Sequence, residues 1–155
     1  MVKLTSGMNR LTKFSFSVLL FLVSVNSQAL QTFKTRVVLL NDKPYALELA
    51  DTNERQTQGL MYRTKLAQDA GMLFIYSKPG DRRIWMKNTL IPLSVIWLDA
   101  DARIIDIQLL LPCRVQNCPV YGASALSQYI LELHPDAGHR FKAGEILAPI
   151  LEIDL

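Results

Sequence analysis

Motifs for nucleophilic and phosphate chemistry are missing from this sequence. It contains no Gly-x-Ser-x-Gly elbow and no Ser-x-x-Lys pair, which removes the usual signatures of serine acyl transfer. Ser124 and Ser127 flank Tyr121 at a distance in sequence, with no marked base partner. No glycine-rich loop of the phosphate-cradling kind occurs. The chain has only two histidines, His134 and His139, separated by Pro135 and Gly138. That is not zinc-site spacing, and solvated or capping roles are expected. Internal repeats, linkers and low-complexity stretches are also lacking. The 155 residues are half apolar and one-fifth charged, which excludes a disordered chain, a collagen-like repeat and a coiled coil and leaves room for one domain.

The first 29 residues hold Lys3, Arg10 and Lys13 and no acidic residue. An apolar run covers 14–25, and Ser27-Gln28-Ala29 places small residues three and one before a cut. This reads as a cleaved export signal, with the mature chain starting at Leu30 and lying in the periplasm or outside the cell. The run is far shorter than the roughly 20 residues that span a bilayer. An uncleaved anchor is the alternative. Of 17 basic residues three precede position 30, and the remaining 14 match the 14 acidic ones. The mature chain is therefore neutral, with no basic excess for nucleic acid or an anionic membrane surface. A monomer without a stable membrane span is expected.

Both cysteines fall in Pro112-Cys113-Arg114-Val115-Gln116-Asn117-Cys118-Pro119. In an exported chain such a pair is expected to form a disulfide. So small a ring contributes about 2 kcal/mol, so the bridge mainly fixes a loop. Two thiols are too few for a metal site, and the spacing is not that of a redox Cys-x-x-Cys.

Along the mature chain, 34–40 and 45–49 read as a hairpin around Asn41-Asp42-Lys43-Pro44. Asp51 or Thr52 caps a short helix that runs to about residue 58 or 61. Strands follow at 72–76, 83–87, 93–98, 103–111, 129–133 and 146–153, with turns at 77–81, 99–102 and 142–145 and one helical turn within 135–141. Eight or so short strands with one clear helix predict a mainly β, single-domain antiparallel β-sandwich or distorted barrel over residues 30–155.

Several ordered motifs carry a resemblance: Glu48-Leu49-Ala50-Asp51-Thr52, Gly59-Leu60-Met61-Tyr62-Arg63, Gly71-Met72-Leu73-Phe74, Trp85-Met86-Lys87-Asn88-Thr89 with Ile91-Pro92-Leu93, the two Cys-Pro contexts, and Leu131-Glu132-Leu133 with Gly144. Over about residues 35–155 the chain resembles domain-of-unknown-function family 192. The resemblance implies a small, mainly β domain, often exported in bacteria and found also in archaea, with no assigned activity. Ser94 stands where that family usually has Asp, and Ala102 where a turn glycine is common. A catalytic or metal-binding Asp would be lost here, whereas a backbone-bonding one is replaceable by Ser.

The favoured contact residues are Trp85, Lys87 and Asn88, with Glu48 and Arg63. Trp stacks, Lys binds an anion, and Asn both donates and accepts. The plain alternative is a strand with Trp85 and Met86 on opposite faces, ending in an Asn88-Thr89 turn. Glu48, Asp51, Arg55 and Arg63 are either an acid–base cluster or a helix cap with ion pairs. The reading adopted is a non-catalytic exported domain that binds a small polar ligand or a cell-envelope partner and needs no cofactor. One alternative is an enzyme acting on envelope glycan or peptide with Glu48 or Asp51 as base. Another is copper handling through Met61, Met72 and Met86, against which stands methionine's common use as core filler.

Overall fold

Asn41 and Asp42 both take positive φ, 49° and 60°. Asn and Asp tolerate that conformation better than most residues, and two in succession make the tight hairpin turn whose twist matches the flanking strands. The turn joins β1 (Lys34–Leu40) to β2 (Lys43–Ala50), with Leu40 directly opposite Lys43. The computed structural model describes residues 32–154. The expected export signal over 1–29 and its cut after Ala29 lie outside them.

After β2 the chain forms α1 (Asn53–Gln58), β3 (Ala70–Gly80), β4 (Arg83–Trp85), β5 (Leu93–Leu98), β6 (Ile104–Leu110), β7 (Val120–Gly122) and β8 (Ser127–Leu133). Two 3-10 helices follow, Pro135–Arg140 and Ala148–Glu152. Six strands form one open sheet in the order β1-β2-β3-β8-β5-β6, and β4 pairs with β7 in a separate two-stranded ribbon. The protein is therefore mainly β and sandwich-like, with few short helices. Its pairs are antiparallel except β2 and β3, which are parallel. The segment that carries α1 makes the crossover such a pair requires. Thr52 Oγ1 accepts the Arg55 N–H at 3.3 Å to cap α1, and Gly59 closes it at φ 49°.

Both faces of the central sheet are buried, so β5 reads as an unbroken apolar run apart from Ser94. On one face Leu47, Leu49, Leu73, Ile96 and Leu131 pack under the 3-10 helices through Ala137, Phe141 and Ile150. On the other, Met72, Phe74, Val95, Trp97 and Ile130 pack under Leu60, Ile84 and Met86. The β4–β7 ribbon and the loops around 59–66 and 86–92 thus form the second cover.

Three sequence expectations need correction. The strand expected at 146–153 is instead the second 3-10 helix, preceded by a single bridge from Ile146 to Arg103. Pro149 lies in that run and has no N–H to give a ladder. β4 ends at Trp85 rather than 87, because Asn88 adopts φ 59° and the Thr89 N–H turns back to the Met86 carbonyl. The turn expected at 77–81 is a continuation of β3 to Gly80 through a register shift. β7, three residues long, is too short for alternation to reveal it.

Candidate functional site

Strand register places one row of residues side by side across the second face of the sheet. Glu48 is opposite Met72, Met72 opposite Glu132, Glu132 opposite Val95, and Val95 opposite Gln108. Residues directly opposite share a face. Two carboxyl groups therefore flank Met72 beneath the second cover, and their surroundings differ.

Glu48 lies near the rim and is fully engaged. Arg63 donates from Nη1 to Oε1 at 2.7 Å and from Nη2 to Oε2 at 2.6 Å. This bidentate fork is the strongest geometry available to an ion pair. It ties the loop after α1 to β2. Tyr62, the preceding residue, has φ 63°, and its N–H donates to the Asn88 carbonyl at 2.8 Å. Asn88 replies through Nδ2, which lies 2.9 Å from Tyr62 Oη and 3.9 Å from Met61 Sδ. Two non-glycine residues in the left-handed region are thus clasped to each other, a form of local strain that only a well-determined surrounding sustains.

From Asn88 the chain leads back to Lys87 and Trp85. Lys87 Nζ sits 5.0 Å from the Trp85 ring centroid, within cation–π range, and the indole is 45% exposed. Trp85 pairs with Val120 across the ribbon, so both side chains project from its outer face. Met86, between Trp85 and Lys87, points inward and is buried. The five expected residues are thereby linked: Glu48 to Arg63 by salt bridge, Arg63 to Asn88 through Tyr62, and Asn88 along the chain to the Lys87–Trp85 stack. The arrangement offers an aromatic face with an adjacent ammonium. Arg63 is spent on Glu48.

Glu132, to which sequence reasoning assigned no role, is the second carboxyl of this row. It is 4% exposed, and burial alone pushes its carboxyl up to about 8, with no hydrogen bond or cation opposing the shift. At neutral pH it holds its proton. A lone charged residue in the apolar run Tyr129-Ile130-Leu131-Glu132-Leu133 was the available signal. Nearby, burial raises the Tyr76 phenol, an effect the Arg82 guanidinium opposes and the Glu132 carboxyl adds to.

Other candidates take structural places. Asp51 accepts from Arg55 Nη1 at 2.5 Å. Met72 and Met86 are buried in the second core. Among the described residues no group of three His, Cys, Asp or Glu side chains is placed to hold a metal ion. His134 Nδ1 accepts the Asp136 N–H at 3.3 Å and caps the first 3-10 helix. Ser94 Oγ donates to the Pro135 carbonyl at 2.7 Å and accepts the Gly138 N–H at 3.2 Å. It therefore fastens the first 3-10 helix to β5, on the face opposite the Glu48–Glu132 row. Ser127 is buried, with no partner at its hydroxyl. Cys113 and Cys118 form a disulfide.

Two solved structures are similar to this chain in fold. A crystal structure of a protein of unknown function from Novosphingobium aromaticivorans is 29% identical with a TM-score of 0.63, covering 72% of this chain and 81% of that one. A second, from Sinorhizobium meliloti and described as a candidate transcription regulator, is 26% identical with a TM-score of 0.62, covering 74% of this chain and 92% of its own. No curated protein sequence matches significantly. The profile of domain-of-unknown-function family 192, described as an uncharacterized ACR, matches residues 36–145, and the chain belongs to that family.

Proposed function

We propose that this chain is an exported binding domain without catalytic chemistry. It engages a cell-envelope partner, or a small polar ligand, through the surface that carries Trp85, Lys87 and Asn88, with the Glu48–Arg63 pair holding that surface in place. The observation that carries the reading is the half-exposed Trp85 with the Lys87 ammonium 5.0 Å over its ring. Contact surfaces favour rigid amphipathic anchors of this kind. Val120, opposite Trp85 and 54% exposed, extends the apolar part. An outward-facing ribbon of this sort suits a flat partner better than an enclosed ligand.

The disulfide fits an oxidising compartment, in keeping with the apolar run and small residues near Ala29. The enzyme alternative is weakened because both proposed bases, Glu48 and Asp51, are engaged by arginine. The copper alternative is weakened because Met72 and Met86 are buried core residues. The regulator description of the Sinorhizobium protein is not carried over, since the chain after residue 29 has equal numbers of acidic and basic residues.

The test is native mass spectrometry and cross-linking of the protein purified from its own envelope extract. Trp85→Ala and Lys87→Glu are expected to keep stability within about 1 kcal/mol of wild type and to lose the bound species. Val37→Ser, at an exposed position on the β1 edge, keeps it. A bound species retained equally by all three variants, or a fold that collapses on Trp85→Ala, overturns the reading.

A further inference from the structure

The β3–β8 ladder opens at one place. Ile75 is paired with Tyr129, and the next pair is Gly80 with Ser127. Four residues of β3 therefore stand against Gln128 alone. Bulges of this kind release backbone groups from cross-strand pairing and are over-represented beside binding sites. Here the opening borders a cavity of about 310 Å³, with Ile75, Ser77, Gln128 and Tyr129 on the sheet side. Ile150 and Ile153, at the C-terminal 3-10 helix, close it from above.

The lining has a definite chemistry. Ile75, Ile150 and Ile153 give an apolar wall continuous with the first core. Ser77 and Gln128 give a hydrogen-bonding rim. Asp51 also reaches the cavity, but its carboxylate is neutralised by Arg55 at 2.5 Å. Ser127, next to Gln128 in β8, is buried with no partner at its hydroxyl and does not itself line the cavity. The volume equals roughly the share of ten liquid waters and meets the lower end, about 300 Å³, of small-molecule pockets.

We propose that this cavity binds a small uncharged amphiphile, its apolar body against Ile75, Ile150 and Ile153 and a hydroxyl or amide head at Ser77 and Gln128. The apolar wall excludes a fully polar ligand, which would leave its groups unpaired. An ionised head would find no uncompensated opposite charge among the described lining residues. The site shares no residue with the Trp85 surface, so it stands or falls apart from the function proposed above.

The probe is 1-octanol, compared with octanoate and octylammonium, followed by methyl NMR of the purified protein. Saturable shifts confined to Ile75, Ile150 and Ile153 are expected with octanol, and binding at least tenfold weaker with either charged analogue. Ile150→Trp fills the cavity and abolishes the octanol shifts. Should that variant lose its fold by circular dichroism, Ser77→Asp at the exposed rim serves instead and weakens octanol at least tenfold. Shifts that rise linearly without saturation, that spread to Val37 and Leu39, that are equal for all three probes, or that persist in the variants overturn the proposal.

Discussion

Glu132 occupies a strand position whose cross-strand neighbours are Met72 and Val95. Its carboxyl ionises near the ordinary 4.5 in the unfolded chain, and burial raises this to about 8 in the folded one. Between those values the unfolded state binds fewer protons than the native state, so stability falls as pH rises through that window and levels off above it. At pH 7 the penalty is on the order of 3 kcal/mol. Glu132→Gln is therefore expected to match the wild type near pH 4 and to exceed its stability by about 3 kcal/mol at pH 7, as urea denaturation across pH would measure. Alternation in β2 already set Glu48 apart from Leu47 and Leu49, and the sequence grouped it with Asp51, Arg55 and Arg63; that Arg63, fifteen residues on, is its partner and Arg55 that of Asp51 was decided by the fold.

At the scale of elements, β3 and β8 pack closely enough to dictate a glycine. A Cβ at Gly71 would lie 2.4 Å from the Glu132 carbonyl oxygen and 2.6 Å from Leu133 Cδ2. Gly71→Ala is expected to destabilise by about 1–3 kcal/mol through overpacking, read as a lowered midpoint in urea. On the opposite face, Ser94 joins β5 to the first 3-10 helix through two backbone groups. Ser94→Ala strands both and is expected to cost about 1–3 kcal/mol while the Trp85 surface stays intact. This geometry gives Ser94 a fastening role. The longer strands β1, β5 and β6 were legible from their apolar runs and turn residues. β7 and the register shift in β3 were not, because a three-residue strand carries no period and a bulge depends on the partner strand.

For the whole molecule, the stability rests on a sheet buried on both faces, with the disulfide as a local fastening in the loop that leads to β7. Cys113→Ser should lower stability by about 2 kcal/mol and leave the fold in place, as circular dichroism and thermal melting would report. A chain unable to fold without the bridge would contradict the view that the two cores suffice. No helix among the described residues is long and apolar enough to cross a membrane.

Composition, alternation, turn residues and the ordered motifs that carry the family resemblance were enough for a mainly β domain, the hairpin at Asn41-Asp42, a helix cap at Asp51 or Thr52, the cysteine pairing and the family, because each depends on neighbours within a few residues or on ordered motifs; the structure selects Thr52 as the cap. The assembly of the second face was decided by tertiary structure alone. Which strands become neighbours depends on the crossover through α1 and on β8 inserting between β3 and β5, contacts between residues far apart in sequence. That order brings Glu132 beside the Glu48 row and takes away its water. It also opens the cavity at the β3 register shift, where the C-terminal segment, read from its apolar run as a strand, is turned by Pro149 into a 3-10 helix that covers it.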